Sequence, residues 1–514
     1  MSKGFELLTP AEMAAADRYA IETGTSGFAL MQRAGEAAAR LVASLAGVDG
    51  ARRRIVVLCG PGNNGGDGFV AAKRLSEMGL TVEVALLGSP EALRGDAARA
   101  CREWRGPVVD PFGLALDSAL IIVDALFGAG LSRRIDGPTA ELLRRVNRLR
   151  GEGARVVAID LPSGVSGASG AVLGEALWAD ETVTFFRRKP GHLLYPGRAR
   201  CGRLEVVDIG IPVEALDRIG VATFANARGL WQEKLPKPKE DGHKYDRGHV
   251  LVLSGGIEGC GASRLAARAA LRIGAGLVTL AVPSEALAAQ ATANTAVMIR
   301  RADGVEGWVQ LIADKRRNAI VLGPAAGVGE ETAARVLFAL GAGRAAIIDA
   351  DGLTSFADRP ELLFDAIKDA TGATVLTPHE GEFARLFHAA PEFVALGSEA
   401  SRLDKLARAR LAASASGATV VLKGPDTVIA APDGRAAINE NGTPDLATAG
   451  SGDTLAGIVG GLIAQGMLAF EAACAAVWLH AEAGASFGPG LIAEDLAEAL
   501  PGVLGTLLAA GELG

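Results

Sequence analysis

The chain has 514 residues, more than one hydrophobic core usually organises, so we expect two to four domains and start from two. Hydrophobic residues make up 49% and charged residues 22%, as in an ordinary globular protein, while the aromatic content of 5% is low. The net charge of −7 argues against a nucleic-acid surface, so the expected partner is a small molecule.

The five cysteines lie far apart without a C-x-x-C pair, so neither a disulfide framework nor a zinc site is expected, and a reducing cytoplasm fits best. The N-terminal sequence lacks a continuous apolar core and is not predicted to be a signal peptide. The most apolar stretch, 455–478, contains Gln465 and Glu471, and the small-residue spacing of Gly457 and Gly461 is weak evidence for a membrane helix. We expect a buried helix pair there and no membrane span.

The first predicted helix begins at a capping box, with Thr9 as N-cap, Pro10 at the first helical position and Glu12 three residues after the cap. A second helical pattern covers about 30–45. Both helices precede the first strand pattern of the chain.

A strand, loop, helix unit follows: an apolar strand at 54–59, the glycine-rich GPGNNGGDG at 60–68, and a helical pattern at 69–78. The rhythm recurs in apolar runs that end in Gly or Asp, at 81–88, 119–130 and 154–164. Such runs indicate strands buried on both faces. The pattern therefore predicts a parallel, doubly wound α/β sheet with helices on either side.

The composition changes after 208–212, and residues 233–248 are rich in Lys, Pro and Gly. We place a linker within or just before this segment. The strand, loop, helix rhythm then restarts with runs at 249–256, 276–283, 318–324, 345–353, 373–382 and 418–424. A second α/β domain is predicted.

The stretch 446–466 places one carboxylate, Asp453, inside a glycine-framed turn before an apolar helix. A helix N-terminus presents unpaired N–H groups and a partial positive charge, so it suits a phosphate oxygen that gains negative charge. Asp453 could accept the proton of a hydroxyl that attacks this phosphate. The alternative is that Asp453 only caps the helix.

In the first half, GPGNNGGDG lacks the Lys-Ser/Thr pair of a triphosphatase loop and is either a ligand loop or a tight connection. Polar groups end three predicted strands, at Asn64, Asp124, Asp160 and Ser163. Their oxygens suit a hard cation or a ribose and carboxamide. Helix caps or loop hydrogen bonds remain the alternative for each aspartate.

In the second half, candidate ligand loops follow the predicted strands at 255–263, 323–329, 349–351 and 377–382. His379 stands in the last of them and is either a substrate contact or a structural histidine. Lys423 ends a further strand and is either a phosphate-binding charge or a surface lysine.

Two sets of motifs together cover nearly the whole chain. They are LTPAEM (8–13), LMQRAG (30–35), GPGNNGGDG (60–68), DALFGAG (124–130) and DLPSG (160–164), then HKYDRGHV (243–250), GAS (261–263), DADGL (349–353), TPHEGEF (377–383), LKG (422–424) and LATAGSGD (446–453). Through them the chain resembles the bifunctional NAD(P)H-hydrate repair enzymes, in which an NAD(P)H-hydrate epimerase is fused to an ADP- or ATP-dependent NAD(P)H-hydrate dehydratase.

The resemblance implies a Rossmann-like epimerase domain over 1–225 and a ribokinase-like dehydratase domain over 226–514. In the first domain it implies hydrate contacts at Asn63, Asn64, Gly65, Gly66, Asp67, Gly128, Ala129, Gly130, Leu131, Ser132, Arg133, Arg134 and Asp160, and potassium ligands at Asn64, Asp124 and Ser163. In the second it implies hydrate contacts at Ala262, Gly327, His379 and Asp453, and adenine-nucleotide contacts at Lys423, Gly424, Pro425, Asp426, Thr427 and Gly452.

The resemblance also implies the chemistry. The first domain would interconvert the R and S forms of hydrated NADH and NADPH (NADHX and NADPHX), with Asp160 as a catalytic residue facing the altered ring. The second would dehydrate the S form at the expense of ADP or ATP with Mg²⁺: Asp453 takes the hydroxyl proton, the amides of 450–452 stabilise the transferred charge, and phosphate then leaves. A homo-oligomer is expected. The preferences between ADP and ATP (relatives favour ADP) and between the two hydrates stay open, as do the Mg²⁺ ligands.

Two departures from the family pattern affect possible ligand loops. The loop GPAAGVG carries Ala325 and Ala326 where relatives tend to have GPGLG, and the segment 160–170 lacks the usual acidic continuation after its first five residues. Two rival functions remain at this point. A small-alcohol kinase of the ribokinase class would also use GSGD, and a nucleotide-sensing protein would bind without turnover.

Overall fold

The structure is a computed structural model that describes residues 4–47, 54–116, 121–238 and 240–511. These residues form two compact units, an N-terminal unit of Glu6–Thr223 and a C-terminal unit that contains the residues from Phe224 on, together with Gly4 and Phe5. The predicted strand at 119–130 and the predicted linker at 233–248 each include residues outside the described ranges. The predicted architecture of two α/β domains is confirmed, while the boundary at 225/226 stays a prediction.

The sheet of the N-terminal unit has, in the described ranges, seven strands: β1 Arg54–Cys59, β2 Thr81–Leu86, β3 Val108–Val109, β4 Ile121–Ala125, β5 Arg155–Ile159, β6 Glu181–Phe185 and β7 Arg203–Val207. Their order is β3-β2-β1-β4-β5-β6-β7, and every neighbouring pair is parallel. The order reverses between β1 and β4, and ligands of doubly wound sheets bind beyond the strand ends at such a point. The predicted doubly wound sheet is confirmed, although the apolar runs did not reveal β3, β6 and β7.

The helices of this unit are α1 Pro10–Glu22, α2 Gly27–Ala46, α3 Asn63–Glu77, α4 Gly95–Glu103, α5 Gly137–Gly151, α6 Gly197–Arg200 and α7 Glu214–Ile219. The capping box at Thr9 is confirmed. The predicted start of the third helix at 69 is wrong, because α3 begins inside the glycine-rich stretch. The glycines allow close packing there: a β-carbon on Gly65 would lie 1.9 Å from the carbonyl oxygen of Gly60.

The second sheet has ten strands among the described residues: β8 Thr223–Ala225, β9 His249–Leu253, β10 Leu277–Val282, β11 Met298–Arg301, β12 Ala319–Leu322, β13 Ala345–Ile348, β14 Thr374–Leu376, β15 Thr419–Leu422, β16 Val428–Ala430 and β17 Ala436–Ile438. Their order is β11-β10-β9-β12-β13-β14-β15-β16-β17-β8. Pairing is parallel from β11 to β15 and antiparallel from β15 to β17. The loops after β9, β12, β13, β14 and β15 therefore share one edge.

The helices of the C-terminal unit are α8 Cys260–Arg272, α9 Leu287–Ala293, α10 Gly304–Ile312, α11 Glu330–Gly341, α12 Ala350–Thr354, α13 Pro360–Asp369, α14 Glu380–Phe387, α15 Pro391–Leu396, α16 Lys405–Ser416, α17 Ser451–Ala464, α18 Ala469–Phe487 and α19 Ala493–Gly511. The buried helix pair predicted at 455–478 is confirmed as α17 and α18. A β-carbon on Gly457 would lie 2.1 Å from the carbonyl oxygen of Ala266, so this glycine lets α17 pack closely on α8. That contact fixes the start of α17 beside the shared loop edge.

Candidate active sites

Asp453 is the third residue of α17, and the N-cap is Gly450, whose φ of 86° suits glycine. No side chain caps this helix, so the alternative that Asp453 is the cap is wrong. A β-carbon on Gly450 would lie 4.0 Å from Asp453 Oδ2. The carboxylate therefore borders the first turn, where N–H groups lack intrahelical partners.

Lys423 lies beside this turn at the end of β15. Its Nζ donates to Asp349 Oδ1 over 2.8 Å and lies 3.8 Å from Glu382 Oε2. Only 19% of its side chain is exposed, so the alternative of a surface lysine is wrong. Burial alone would lower the pKa of Lys423, but the Asp349 and Glu382 carboxylates raise it. Lys423 therefore stays charged in this cluster.

Lys423 donates to Asp349, and in the described residues no lysine is hydrogen-bonded to Asp453. Burial and the nearby Asp349 carboxylate raise the pKa of Asp453 to about 6, although the Lys423 ammonium opposes the shift. A group with this pKa is ionised at neutral pH and still takes up a proton more readily than an ordinary aspartate. These properties suit a general base.

His379 is the N-cap of α14. Its Nδ1 accepts from the backbone N–H groups of Gly381 and Glu382, at 2.9 and 3.3 Å, so this histidine has a structural role, while its predicted contact with the substrate stays a prediction. Its Nε2 lies 3.3 Å from Glu382 Oε1, and Glu382 Oε2 in turn faces Lys423. The ring edge is half exposed and belongs to the same charged cluster as Asp453.

The segment 423–427 is the turn between β15 and β16. Within it the Thr427 hydroxyl donates to the carbonyl oxygen of Gly424 over 2.8 Å. Asp426 pairs with Lys405 over 2.7 Å. This rigid turn places Gly424 and Pro425 next to Lys423, where the resemblance expects a nucleotide.

The loop with the two unexpected alanines follows β12. Ala325 has a φ of 50°, and its carbonyl oxygen would lie 1.9 Å from a β-carbon on Gly255. Ala325 therefore packs on the loop after β9. Gly327 donates its N–H to Asp351 Oδ2 over 2.9 Å and has open space around its α-carbon. Ala262 is half-buried at the start of α8.

The N-terminal unit contains a cavity of about 780 Å³ at the carboxyl ends of β1, β4 and β5. Of the hydrate contacts expected from the sequence, those that line it are Asn63, Asn64, Asp67, Gly128, Ala129, Gly130, Leu131, Ser132, Arg133 and Asp160. Gly66 packs on Met31 beneath the loop, and Arg134 is exposed outside the cavity lining. Asp17 and Lys189, which the sequence did not single out, also line the cavity.

Asp160 is held by several donors at the end of β5. Its Oδ1 accepts from Lys189 Nζ at 2.7 Å and from the Thr184 hydroxyl at 3.0 Å, and its Oδ2 accepts from the N–H of Ala129 at 2.8 Å. Burial alone would raise the pKa of Asp160, but the charge and hydrogen bond of Lys189 and the N–H of Ala129 lower it to about 2. Asp160 is therefore a fixed anion, and it is not a helix cap.

The backbone of Asp160 has a φ of 68°, in the left-handed region. His192 holds it there: the N–H of Lys189 donates to His192 Nδ1 over 2.9 Å, so Nε2 carries the hydrogen and donates to the carbonyl oxygen of Asp160 over 2.8 Å. No role was predicted from the sequence for the loop 166–170. In the structure this loop contacts the segment that carries His192, because the carbonyl oxygen of Gly167 accepts from the N–H of Gly191 at 2.8 Å. In the sequence, the run KPGH at 189–192 was the signal that could have pointed to Lys189 and His192 as residues of this site.

Asp124 and Ser163 meet in the interior beneath the cavity. Ser163 donates its hydroxyl to Asp124 Oδ1 over 2.6 Å and its N–H to Asp124 Oδ2 over 2.7 Å. Asp124 also accepts from the N–H of Leu126, as the loop-hydrogen-bond alternative predicted. In the orientation that satisfies its amide, Asn64 donates to the carbonyl of Ile159 and accepts from the N–H of Gly128. Burial raises the pKa of Asp124 to about 6.

Three findings bear on the predictions about cysteines, metals and membranes. All five cysteines are described and none forms a disulfide. Across the described ranges, no helix is both long and apolar enough to span a bilayer. In the same ranges, no three acidic, His or Cys side chains converge as metal ligands would.

Comparison with known proteins gives two family matches. Residues 250–501 match the family described as NAD(P)H-hydrate dehydratase, and residues 27–191 match the family described as YjeF-related protein N-terminus.

Relatives match over nearly the whole chain. The bifunctional NAD(P)H-hydrate repair enzyme Nnr of Thermofilum pendens is 38% identical, with 91% of this chain and 89% of the relative covered. The enzyme of the same description from Moorella thermoacetica is 36% identical, with 98% and 97% covered. A crystal structure of the ADP/ATP-dependent NAD(P)H-hydrate dehydratase from Bacillus subtilis, co-crystallised with ATP/Mg²⁺, is 27% identical, covers 53% of this chain and 94% of its own, and has a TM-score of 0.46.

Proposed function

The chain belongs to the bifunctional NAD(P)H-hydrate repair enzymes, and we propose that its two units divide the repair. The N-terminal unit interconverts the R and S forms of hydrated NADH or NADPH. The C-terminal unit dehydrates the S form with cleavage of ADP to AMP and phosphate. The small-alcohol kinase alternative is not favoured, because the relatives match both halves together.

The observation that carries the dehydratase proposal is the position of Asp453. Its carboxylate stands at the amino end of α17, beside Lys423 and Asp349, with a pKa raised by burial to about 6. Asp453 removes the proton of the hydrate's hydroxyl as its oxygen attacks the terminal phosphate of the nucleotide. The N–H groups of 450–452 stabilise the charge that develops on the transferred group. Phosphate is a better leaving group than hydroxide. As its C–O bond breaks and the adjacent ring carbon loses a proton, the ring double bond is restored.

Nucleotide binding at 423–427 and Gly452 is supported by the geometry of the turn. Lys423 keeps its charge next to Gly452, where a β-carbon would lie 3.2 Å from Lys423 Nζ. In nucleotide sites Mg²⁺ is usually bound by the phosphates together with one or two protein carboxylates. Here it would neutralise part of the phosphate charge. Ala262, Gly327 and His379 would then border the hydrate at the shared loop edge.

The epimerase proposal is supported by the cavity at the switch point of the first sheet. Asn63, Asn64, Asp67, the 128–133 loop and Asp160 line it. The donors assigned to potassium, Asn64, Asp124 and Ser163, offer carboxylate, hydroxyl and amide oxygens, which suit a hard cation. Bound there, the ion would supply a fixed positive charge beneath the hydrate site. Assembly as a homo-oligomer and a cytoplasmic location remain proposals from the sequence.

One assay tests the proposed function. Purified protein, synthetic S hydrate of NADH and ADP with Mg²⁺ are mixed, and the absorbance of reduced nicotinamide is followed together with released phosphate. We expect one phosphate for each NADH restored, and we expect R hydrate added alone to be consumed as well. A persistent phosphorylated product would point to a kinase, and nucleotide binding without phosphate release would point to a binding protein.

A further inference from the structure

Two of the carboxylates that line the cavity of the N-terminal unit, Asp160 and Asp67, differ in their hydrogen bonding. Asp160 accepts hydrogen bonds from Lys189, Thr184 and the N–H of Ala129. Asp67, half-buried in the first turns of α3, lines the same cavity, and within the described ranges its carboxyl takes part in no hydrogen bond or ion pair. The Asp160 carboxylate is therefore held in place by its hydrogen bonds, and the Asp67 carboxyl group is available to a ligand.

The charges around Asp67 also differ from those around Asp160. Asp160 from the end of β5 and Asp17 from α1 face Asp67, and Lys189 faces it from the segment after β6. Burial, followed by the Asp160 and Asp17 charges, raises the pKa of Asp67 well above its ordinary value, although Lys189 opposes the shift. The surroundings of Asp67 therefore favour its protonated form, whereas those of Asp160 favour the carboxylate.

The chemistry of the hydrate needs two such groups. Water adds across an enamine double bond of the reduced ring, so the hydroxyl sits on the carbon bonded to the ring nitrogen, and the two epimers differ at that carbon. Inversion there is easiest if the C–O bond breaks while the nitrogen lone pair forms a C=N bond. Such a step requires a proton for the departing hydroxyl and an anion to stabilise the ring cation.

We propose that Asp67 is the catalytic acid of epimerisation and that Asp160, held by Lys189, is the fixed anion that stabilises the ring cation; this assignment rests on the proposed epimerase function. Asp67 gives its proton to the hydroxyl, the C–O bond breaks, and the oxygen leaves as water. Water then adds to the opposite face of the C=N bond and releases a proton to solvent, and the Asp67 carboxylate takes up a proton from solvent. No oxidant or nucleotide is consumed, and the acid is regenerated.

The hydrogen bonds that hold Asp160 suit it to stabilising the ring cation. A carboxylate with three donors on its oxygens is a weak base, so it stabilises a cation beside it without taking up a proton. Lys189 acts through Asp160 and is a positioning residue. The environments of the two carboxylates separate their protonation states, which is how one site obtains an acid and an anion at a single pH.

The test follows solvent oxygen. R hydrate is incubated with wild-type protein in ¹⁸O-labelled water without nucleotide, so the dehydratase is silent, and the protein-free rate is subtracted. We expect one solvent oxygen in the hydrate for each epimerisation event. Epimerisation with the original oxygen retained would overturn the proposal and needs no variant. A wild-type protein that does not speed epimer exchange at all would instead refute the proposed function.

Variants identify the acid. Asp67→Asn should lower kcat for epimerisation by about 10²-fold or more with little change in KM, the usual size of a general-acid contribution. Asp110→Asn, an exposed aspartate of the same unit, is the matched control and should leave the rate unchanged. Full epimerase activity in Asp67→Asn, or its loss only in Asp17→Asn, would overturn the assignment, since Asp17 faces the same cavity.

Discussion

Each unit places a lysine near its central aspartate, and the two lysines have opposite consequences. In the N-terminal unit Lys189 is bonded directly to Asp160, whose pKa falls to about 2. In the C-terminal unit Lys423 is bonded to Asp349 instead, and the pKa of Asp453 rises to about 6 through burial and the Asp349 charge. The placement of the lysine ammonium therefore distinguishes the Asp160 carboxylate, a fixed anion, from Asp453, the proposed general base.

The largest expected effect comes from removing each carboxylate in turn. Asp453→Asn should lower kcat of the dehydratase by about 10³-fold, within the range for general bases, and leave epimer exchange intact. Asp160→Ala should abolish epimer exchange and spare dehydration of the S form. Coupled assays on R and on S hydrate separate the two activities. Equal loss of both activities in either variant would contradict the division of labour.

A smaller effect is expected from Lys189→Met, which leaves the Asp160 charge buried without its partner. Breaking a buried pair in this way costs about 3–5 kcal/mol. Denaturant unfolding followed by hydrogen exchange in residues 6–223 measures the loss. Lys73→Met is the control, because Lys73 pairs with Glu103 at the surface and such pairs contribute about 1 kcal/mol or less. Equal stability of the two variants would show that Asp160 does not depend on Lys189.

The smallest effect is on the free energy of unfolding, which substitution of Asp453 and substitution of Asp160 should change in opposite directions. The folded pKa of Asp453 lies above its unfolded value, so its charge destabilises the fold above about pH 6, and Asp453→Asn should stabilise the C-terminal unit by about 1–2 kcal/mol at pH 7. The gain should shrink as the pH falls below 6, where wild-type Asp453 is protonated. Asp160→Asn should destabilise the N-terminal unit. Thermal unfolding at pH 5 and 7 checks both signs, and a loss of stability in Asp453→Asn would contradict the electrostatic account.

The site of the C-terminal unit was largely predictable because its signals are local. The GSGD turn places Asp453 at a helix start, and the strand before Lys423 is a continuous apolar run. The antiparallel edge at β16 and β17 was not predicted, since three-residue strands carry little periodicity.

The site of the N-terminal unit was less predictable. The partner of Asp160 lies 29 residues away in sequence, after strand β6, whose alternating sequence ETVTF lacks the continuous apolar run used to find the other strands. The helical state of Asn63 and Asn64 was missed because glycine is a poor helix former, while tertiary packing of Gly65 and Gly66 decides the outcome. Contacts distant in sequence leave no local pattern.

The most direct test of the contrast between the two aspartates is the pH dependence of kcat/KM for dehydration of the S hydrate. If Asp453 is the base, the rate should be constant near pH 8 and fall about tenfold per pH unit below about 6, in step with protonation of its carboxylate. The fall in kcat/KM should occur at the same pH with ADP and with ATP, because it reports protonation of a protein side chain. A rate that stays constant down to pH 5, or a fall that moves with the nucleotide, would contradict the account.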